Sequence, residues 1–221
     1  FWGFEVIADQ TGPFGPFMSH MDMKGNYGES AQQCIDAWLW HNIPETDARK
    51  YAWFDDPADP AIFKYGQLKY QYKNLATSVA DIVYMRAEEM ILVAAEAACR
   101  QKDYTTARAL LMELGSQRDT KYEARLKQLV DNDTYSDDTH GPVVTLMEEI
   151  LFQRRVELWC EGMGRTYDLC RLNLGYDRDY TGSNHTEPVA MDPLDDEFQT
   201  LLPQKEFDSN DQITLADQNP R

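Results

Sequence analysis

Apolar residues return every third or fourth position in several stretches of the chain, the spacing that builds one buried helix face. Ala31, Cys34, Ile35, Trp38 and Leu39 predict a helix over 29–43, opened after Gly28 and stopped by Pro44. The clearest pattern runs from Asp81 to Gln101: Met85, Leu92, Ala95 and Cys99 form a stripe, widened by Ile91, Ala94 and Ala98. Lys102-Asp103-Tyr104 then connects to a second helix over 105–114, with Ala107, Leu110, Leu111 and Leu114. Two amphipathic helices joined this closely predict an antiparallel pair. A further helix is expected over 121–130. Residues 143–172 predict one long helix or two, with Gly162 and Gly164 marking a kink or break, because glycine costs about 1 kcal/mol against alanine in a helix interior.

Period-two alternation is scarce. Leu68, Tyr70 and Tyr72 predict a short extended segment over 67–73, and Glu5-Val6-Ile7 a short strand. Asp47–Phe54 reads as a helical turn closed by the Pro- and Asp-rich residues 55–60. Residues 1–28, with Gly12-Pro13 and Gly15-Pro16, carry loop chemistry, as do 132–141 and most of the chain beyond Gly175. The pattern is that of a mainly α chain with long irregular loops and few short strands.

Composition narrows the classes. The 221 residues are 43% hydrophobic and 12% aromatic, enough to fold as a globule with a sizeable core. A net charge of −17 excludes a nucleic-acid binder, which needs a basic face, and opposes docking on anionic lipid. It suits a neutral ligand such as a sugar. The longest apolar run, Met90–Ala95, is far too short to span a bilayer. Phe1-Trp2-Gly3-Phe4 reads as chain interior, so a longer protein with a missing N-terminal part is expected. Cys34, Cys99, Cys160 and Cys170 form no CxxC, and their sparseness predicts free thiols, with the last three in core positions.

Charge is densest in Ile150–Leu172, where Arg154, Arg155, Glu157, Glu161, Arg165, Asp168 and Arg171 recur at helical spacings among apolar residues. An anion site there is conceivable, but acids interleave at every turn. A structural ion-pair network within the helix is the stronger expectation. Enzyme chemistry finds no footing. Adjacent acids such as Glu88-Glu89 are expected in a chain with 38 acidic residues, and the four histidines show no metal-ligand spacing. No phosphate loop or nucleophile elbow is present. No catalytic residue, metal or cofactor is therefore assigned.

Aromatic residues in loop segments give the better lead: Trp2, Phe14, Phe17, Tyr27, Tyr51, Trp53 and Phe54. A sugar stacks its C–H face on an exposed ring while neighbouring polar groups take its hydroxyls. We select Phe14, Phe17, Tyr27, Trp53 and Phe54 as candidate ligand contacts; Trp38 and Trp40 fall in a helix and are expected in the core.

Asp81–Leu114 also has the length of one tetratricopeptide unit. Several separated motifs follow in order. The first is Arg86-Ala87-Glu88-Glu89-Met90-Ile91-Leu92-Val93-Ala94-Ala95-Glu96-Ala97, with Asp103-Tyr104, Ala107 and Arg118-Asp119 after it. The second is Gln153-Arg154-Arg155-Val156-Glu157-Leu158-Trp159-Cys160-Glu161-Gly162, then Asp168-Leu169-Cys170-Arg171-Leu172. The last is Leu202-Pro203-Gln204-Lys205-Glu206, with Asn210 and Gln218-Asn219-Pro220. Asp47-Ala48-Arg49-Lys50 before Trp53-Phe54, and Asp179–His185, add to the series. From about Gly28 onward it resembles the C-terminal part of the SusD/RagB family of Bacteroidetes outer-membrane lipoproteins. Cys160 departs from it, standing where the family more often has a small residue.

The resemblance implies a SusD-like fold with tetratricopeptide-like helix pairs. It also implies a division into a loop-rich, ligand-binding 1–80, a helical core 81–175 and an irregular 176–221. It further implies a non-catalytic glycan or oligosaccharide receptor that faces outward from the outer membrane and caps a SusC-like TonB-dependent transporter. Family members are roughly twice as long, and their lipidated N-terminal cysteine has no counterpart here. Membrane attachment would therefore come only through a lipid anchor in the missing N-terminal part. The alternative is a helical-repeat scaffold that docks on the transporter without touching glycan. The family's glycan contacts lie on loops without a shared motif, so the five aromatic candidates rest on their chemistry and position.

Overall fold

The computed structural model describes residues 2–12, 17–162, 164–193 and 201–219. Its centre is a helical hairpin of α3 (Ala87–Arg100) and α4 (Tyr104–Gly115). Leu92, Ala95 and Cys99 of α3 are fully buried against Ala107, Leu111 and Leu114 of α4, as the stripes predict. The turn is tight because Lys102 takes a left-handed φ of 62°. Asp103 caps α4 by accepting from the Thr106 N–H at 3.0 Å. Next comes the short α5 (Tyr122–Leu126) within the expected 121–130.

Helix α6 (Leu146–Glu157) lies across this hairpin and is the spine of the molecule. Thr145 and Glu148 form a reciprocal capping box at its start. Only Glu148 and Arg155 of its residues escape full burial. Leu146, Met147 and Ile150 face the hairpin core, while Phe152 and Val156 face a second cluster of Ile35, Leu39, Trp40, Ile43, Trp53 and Tyr65. After the break signalled by Gly162, α7 (Gly164–Leu172) returns Leu169 and Leu172 to the hairpin core. Cys160 and Gly162 both adopt left-handed φ, 55° and 54°, so the chain cannot continue as one helix.

Four local expectations fail for tertiary reasons. The 29–43 pattern yields only α2 (Ala37–Asn42). Asp36 accepts from the Leu39 N–H at 2.9 Å and caps the helix there, while Ile35 N–H is drawn to Tyr65 O at 3.0 Å and Cys34 bridges Gly66. The 81–101 pattern splits into β2 (Ile82–Met85) and α3, because β2 pairs antiparallel with β1 (Trp2–Phe4). The first strand is thus Trp2–Phe4, and Ala8–Gln10 follows as a 3-10 turn instead of a strand over 5–7. The 67–73 alternation leaves only a bridge from Gln67 to Trp53, since the Gln67 side chain turns inward to the Met21 carbonyl.

The remaining elements are short. They are α1 (Phe17–Met21), 3-10 turns at Ala48–Ala52, Leu75–Thr77 and Leu215–Asp217, the paired β3 (Tyr176–Asp177) and β4 (Ala190–Met191), and α8 (Gln204–Ser209). All four cysteines are free thiols. Cys99 is buried, but Cys160 and Cys170 are exposed, which corrects their expected core placement. Cys160 sits in the helix break and Cys170 on the outer side of α7.

The charges of 150–172 form a network, but between distant elements more than along the helix. Glu157, 5% exposed, accepts from Arg49 at 2.9 Å, Arg86 at 2.9 Å and Arg118 at 3.2 Å. Burial pushes its carboxyl up, yet the three guanidinium groups outweigh that and hold it at about 2. Glu161 pairs with Arg86 and Lys69, and Arg154 with Asp168 at 2.8 Å. Arg171 joins Asp168 to Glu96 of α3. The bonds to Arg49, Arg86 and Lys69 tie the loop segments before α3 to the end of α6.

Candidate functional site

The five aromatic candidates do not form one patch. Phe14 lies outside the described residues. Phe17 on α1 is 48% exposed and meets Tyr70 edge-on at 5.3 Å. Tyr27 is 41% exposed and stacks on His20 at 4.5 Å. Phe54 is half-buried, its backbone N–H bonded to Gly66 O. Trp53 belongs to the second core, edge-on to Trp159 at 5.7 Å; a ring closed in this way offers no face to a sugar, so Trp53 is a packing residue. Trp40 is buried as expected, and Trp38 is half-buried beside His140.

The structure assembles an aromatic surface that the sequence reading missed in part. Trp2 and Phe4 project from β1 two residues apart, hence on one strand face. Both meet Tyr84 of β2, at 5.4 Å and 5.5 Å between ring centroids. All three rings are more than half exposed. Gly3 between them is required, because a Cβ there would strike the Ile82 carbonyl of the paired strand. The usable signal was the spacing of Trp2 and Phe4 together with the β-branched, aromatic run Ile82-Val83-Tyr84. The pairing partner is some eighty residues away, which hid it.

A second feature is concave. A cavity of about 400 Å³ opens between the segment before α2, the end of α6, the break, the first turn of α7 and β3. Asp36, Arg155, Trp159, Arg165, Arg178 and His185 line it. The loop 180–185 builds its rim: Asn184 accepts from the Ala37 N–H at 2.8 Å and donates to Ile35 O at 2.9 Å, and Tyr180 and His185 meet Asp36 at 2.8 and 3.2 Å. Burial raises the Asp36 carboxyl, but the Leu39 N–H, Tyr180, Arg155 and His185 together lower it. Arg155 donates to Thr139 O at 2.7 Å and lies over the Trp38 ring. Burial lowers Arg165, and the like charge of Arg155 lowers it further, to about 9. Among the described residues no group of His, Cys, Asp or Glu could hold a metal ion.

Exposed rings can stack on a ligand, and guanidinium groups in a groove can hydrogen-bond one. Comparison with known proteins agrees with the fold. A SusD-like carbohydrate binding protein from Bacteroides vulgatus superposes with a TM-score of 0.65 at 20% identity, over 95% of this chain and 47% of that one. A SusD superfamily protein from Bacteroides thetaiotaomicron gives 0.68 at 21% identity, over 100% of this chain and 48% of its own. Another from Bacteroides vulgatus gives 0.69 at 20%, over 100% and 45%. The chain thus spans about half the length of these structures. No curated protein matches it. Residues 39–221 match the SusD family model, and the chain belongs to the SusD family.

Proposed function

We propose that this chain is part of a non-catalytic cell-surface receptor that captures glycan for uptake through a SusC-like TonB-dependent transporter, facing outward from the outer membrane. The observation that carries this reading is the exposed surface of Trp2, Phe4 and Tyr84. Three contiguous rings left in solvent cost the protein apolar exposure and suit the C–H faces of successive sugar units. Phe17 and Tyr27, also exposed, extend the candidate contacts. Family membership supports the reading, as does a structural relative described as a carbohydrate binding protein. Among the described residues no helix is long and apolar enough to cross a membrane, which is compatible with attachment by a lipid anchor.

Affinity electrophoresis of the chain through gels cast with a polysaccharide panel tests this. At least one neutral glycan should retard migration. Trp2→Ala and Tyr84→Ala should each weaken retardation about ten-fold, by loss of stacking of order 1 kcal/mol. Tyr51→Ala, which removes an exposed ring with no aromatic neighbour among the described residues, should leave it unchanged. Equal retardation of all variants refutes the assignment.

One observation favours the scaffold reading as a second function. Ala87, Met90, Val93, Ala94 and Ala97 form an exposed apolar stripe along α3. Met90→Asp should then abolish co-purification with the transporter while sparing glycan retardation.

A further inference from the structure

Most of the described arginines form an ion pair with a carboxylate. The chain has 38 acidic against 21 basic side chains, so a guanidinium left alone is unexpected. Arg49, Arg86, Arg100, Arg108, Arg118, Arg125, Arg154 and Arg171 all form ion pairs. Among the described residues only Arg155, Arg165 and Arg178 do not, and all three line the cavity beside α7.

Their lack of partners is not a shortage of acids nearby. Asp36, Glu161, Asp168 and Asp177 also line the cavity, but none of them forms an ion pair with these three arginines, and each accepts bonds from other groups. Asp168 holds Arg154 and Arg171, and Glu161 holds Lys69 and Arg86. Asp36 takes the Leu39 N–H, Tyr180 and His185; Asp177 takes the Asp179 N–H. Arg155 is held by Thr139 O and by the Trp38 ring, both uncharged. Arg178 lies over the Tyr176 ring at 4.8 Å. Arg165 has neither a hydrogen bond nor an ion pair among the described residues, and it is half-buried. The like charge of Arg155 disfavours that of Arg165, while Asp168 and Asp36 favour it from beyond hydrogen-bond and ion-pair distance. Like charges gathered in a partly desolvated cavity cost stability unless an anion joins them.

The cavity has the volume of a small-molecule pocket, for which about 300–1,000 Å³ is usual. Trp159 and Tyr176 supply aromatic wall, and His140 and His185 supply ring nitrogens that can hydrogen-bond. We propose that this cavity binds an acidic sugar unit, a hexuronate whose carboxylate is taken by Arg155 and Arg165, with Arg178 at the rim and the ring against Trp159. A carboxylate matches the planar guanidinium fork, and the aromatic wall distinguishes a sugar acid from a bare anion. The sugar part of this assignment rests on the glycan-capture reading above; the anion part stands on the arginines. It gives the receptor a site for uronic-acid units in addition to the aromatic surface that takes neutral glycans.

The test is calorimetric titration of the chain with glucuronate, glucose and sodium sulfate, on the parent and on Arg165→Gln, Arg155→Gln and Tyr51→Ala. Glucuronate should bind at least ten-fold more tightly than glucose or sulfate, and more weakly as salt rises. Arg165→Gln and Arg155→Gln should each weaken it at least ten-fold, while Tyr51→Ala, at an exposed ring away from the cavity lining, leaves it unchanged. Arg165→Gln should melt no lower than the parent, because it removes an unpaired charge and no partner; Arg165 as a structural ion-pair residue would instead show a lowered melting temperature. Glucuronate binding no tighter than glucose, or undiminished in Arg165→Gln, overturns the proposal, and sulfate binding as tightly as glucuronate overturns its sugar part. If neutral polysaccharides fail to retard the chain but glucuronate binds through Arg165, the aromatic surface falls and the cavity assignment stands.

Discussion

Glu157→Gln tests the core of the structural argument, because one buried carboxylate organises three arginines from separate segments. The substitution keeps volume and removes charge. The fall of the Glu157 carboxyl from its ordinary 4.5 to about 2 corresponds to about 3 kcal/mol of native-state stabilisation. That agrees with the cost of about 3–5 kcal/mol for breaking a buried pair from one side. Arg49 keeps Asp47, Arg86 keeps Glu161 and Arg118 keeps Glu88, which places the loss at the lower end. For a chain of this size the melting temperature should drop by about 6–12 °C. Because the folded carboxyl is depressed, its contribution is full above about pH 4.5 and is lost as pH falls toward 2. Urea unfolding of both proteins should therefore show a constant gap from pH 6 to 8, narrowed by about 1 kcal/mol at pH 3.5. A gap under about 1 kcal/mol at pH 7, or one that does not narrow in acid, refutes the view that Glu157 is the stabilising hub.

Two further outcomes follow from particular contacts. Asn184→Ala removes both bonds that fasten loop 180–185 to Ile35 and Ala37, and should cost about 1–3 kcal/mol in urea unfolding while loosening the cavity rim, read as faster amide exchange at Ala37. Gly115→Ala places a methyl group against the buried Tyr122 ring at the end of α4, and should destabilise by about 1–3 kcal/mol where an exposed helical glycine would gain; a stabilised variant would refute the close packing of α4 on α5.

Much of the fold was legible because helix periodicity is a local property. The stripes on α3 and α4 survive folding unchanged, since each is long and one-sided. Gly162 announced the break between α6 and α7 for the same reason: a left-handed residue is a local demand. Periodicity misled where a distant strand competed. Residues 31–35 have helical spacing, but Tyr65 and Gly66 offer their backbone and Asp36 restarts the helix later. Residues 82–85 have partners at 2–4, invisible to any window around them. The candidate site was less legible. Loop composition singled out Phe17 and Tyr27, which are exposed, but equally Trp53, which is buried, because a loop-like segment can carry its rings into a core.

By itself, then, the sequence determined a mainly α chain, its central helix pair, its lack of enzyme motifs and its family, because these depend on short-range spacing and on residue types in order. Only the tertiary structure decided which charges are spent. Spacings of three and four proposed partners within 150–172. Yet Glu157 is satisfied by Arg49, Arg86 and Arg118, and Arg154 reaches across the break to Asp168. Ion pairing is settled by distance in space under the cost of desolvation, not by separation along the chain. That is why the arginines left over, Arg155, Arg165 and Arg178, could be recognised as a group only once the cavity they share had formed.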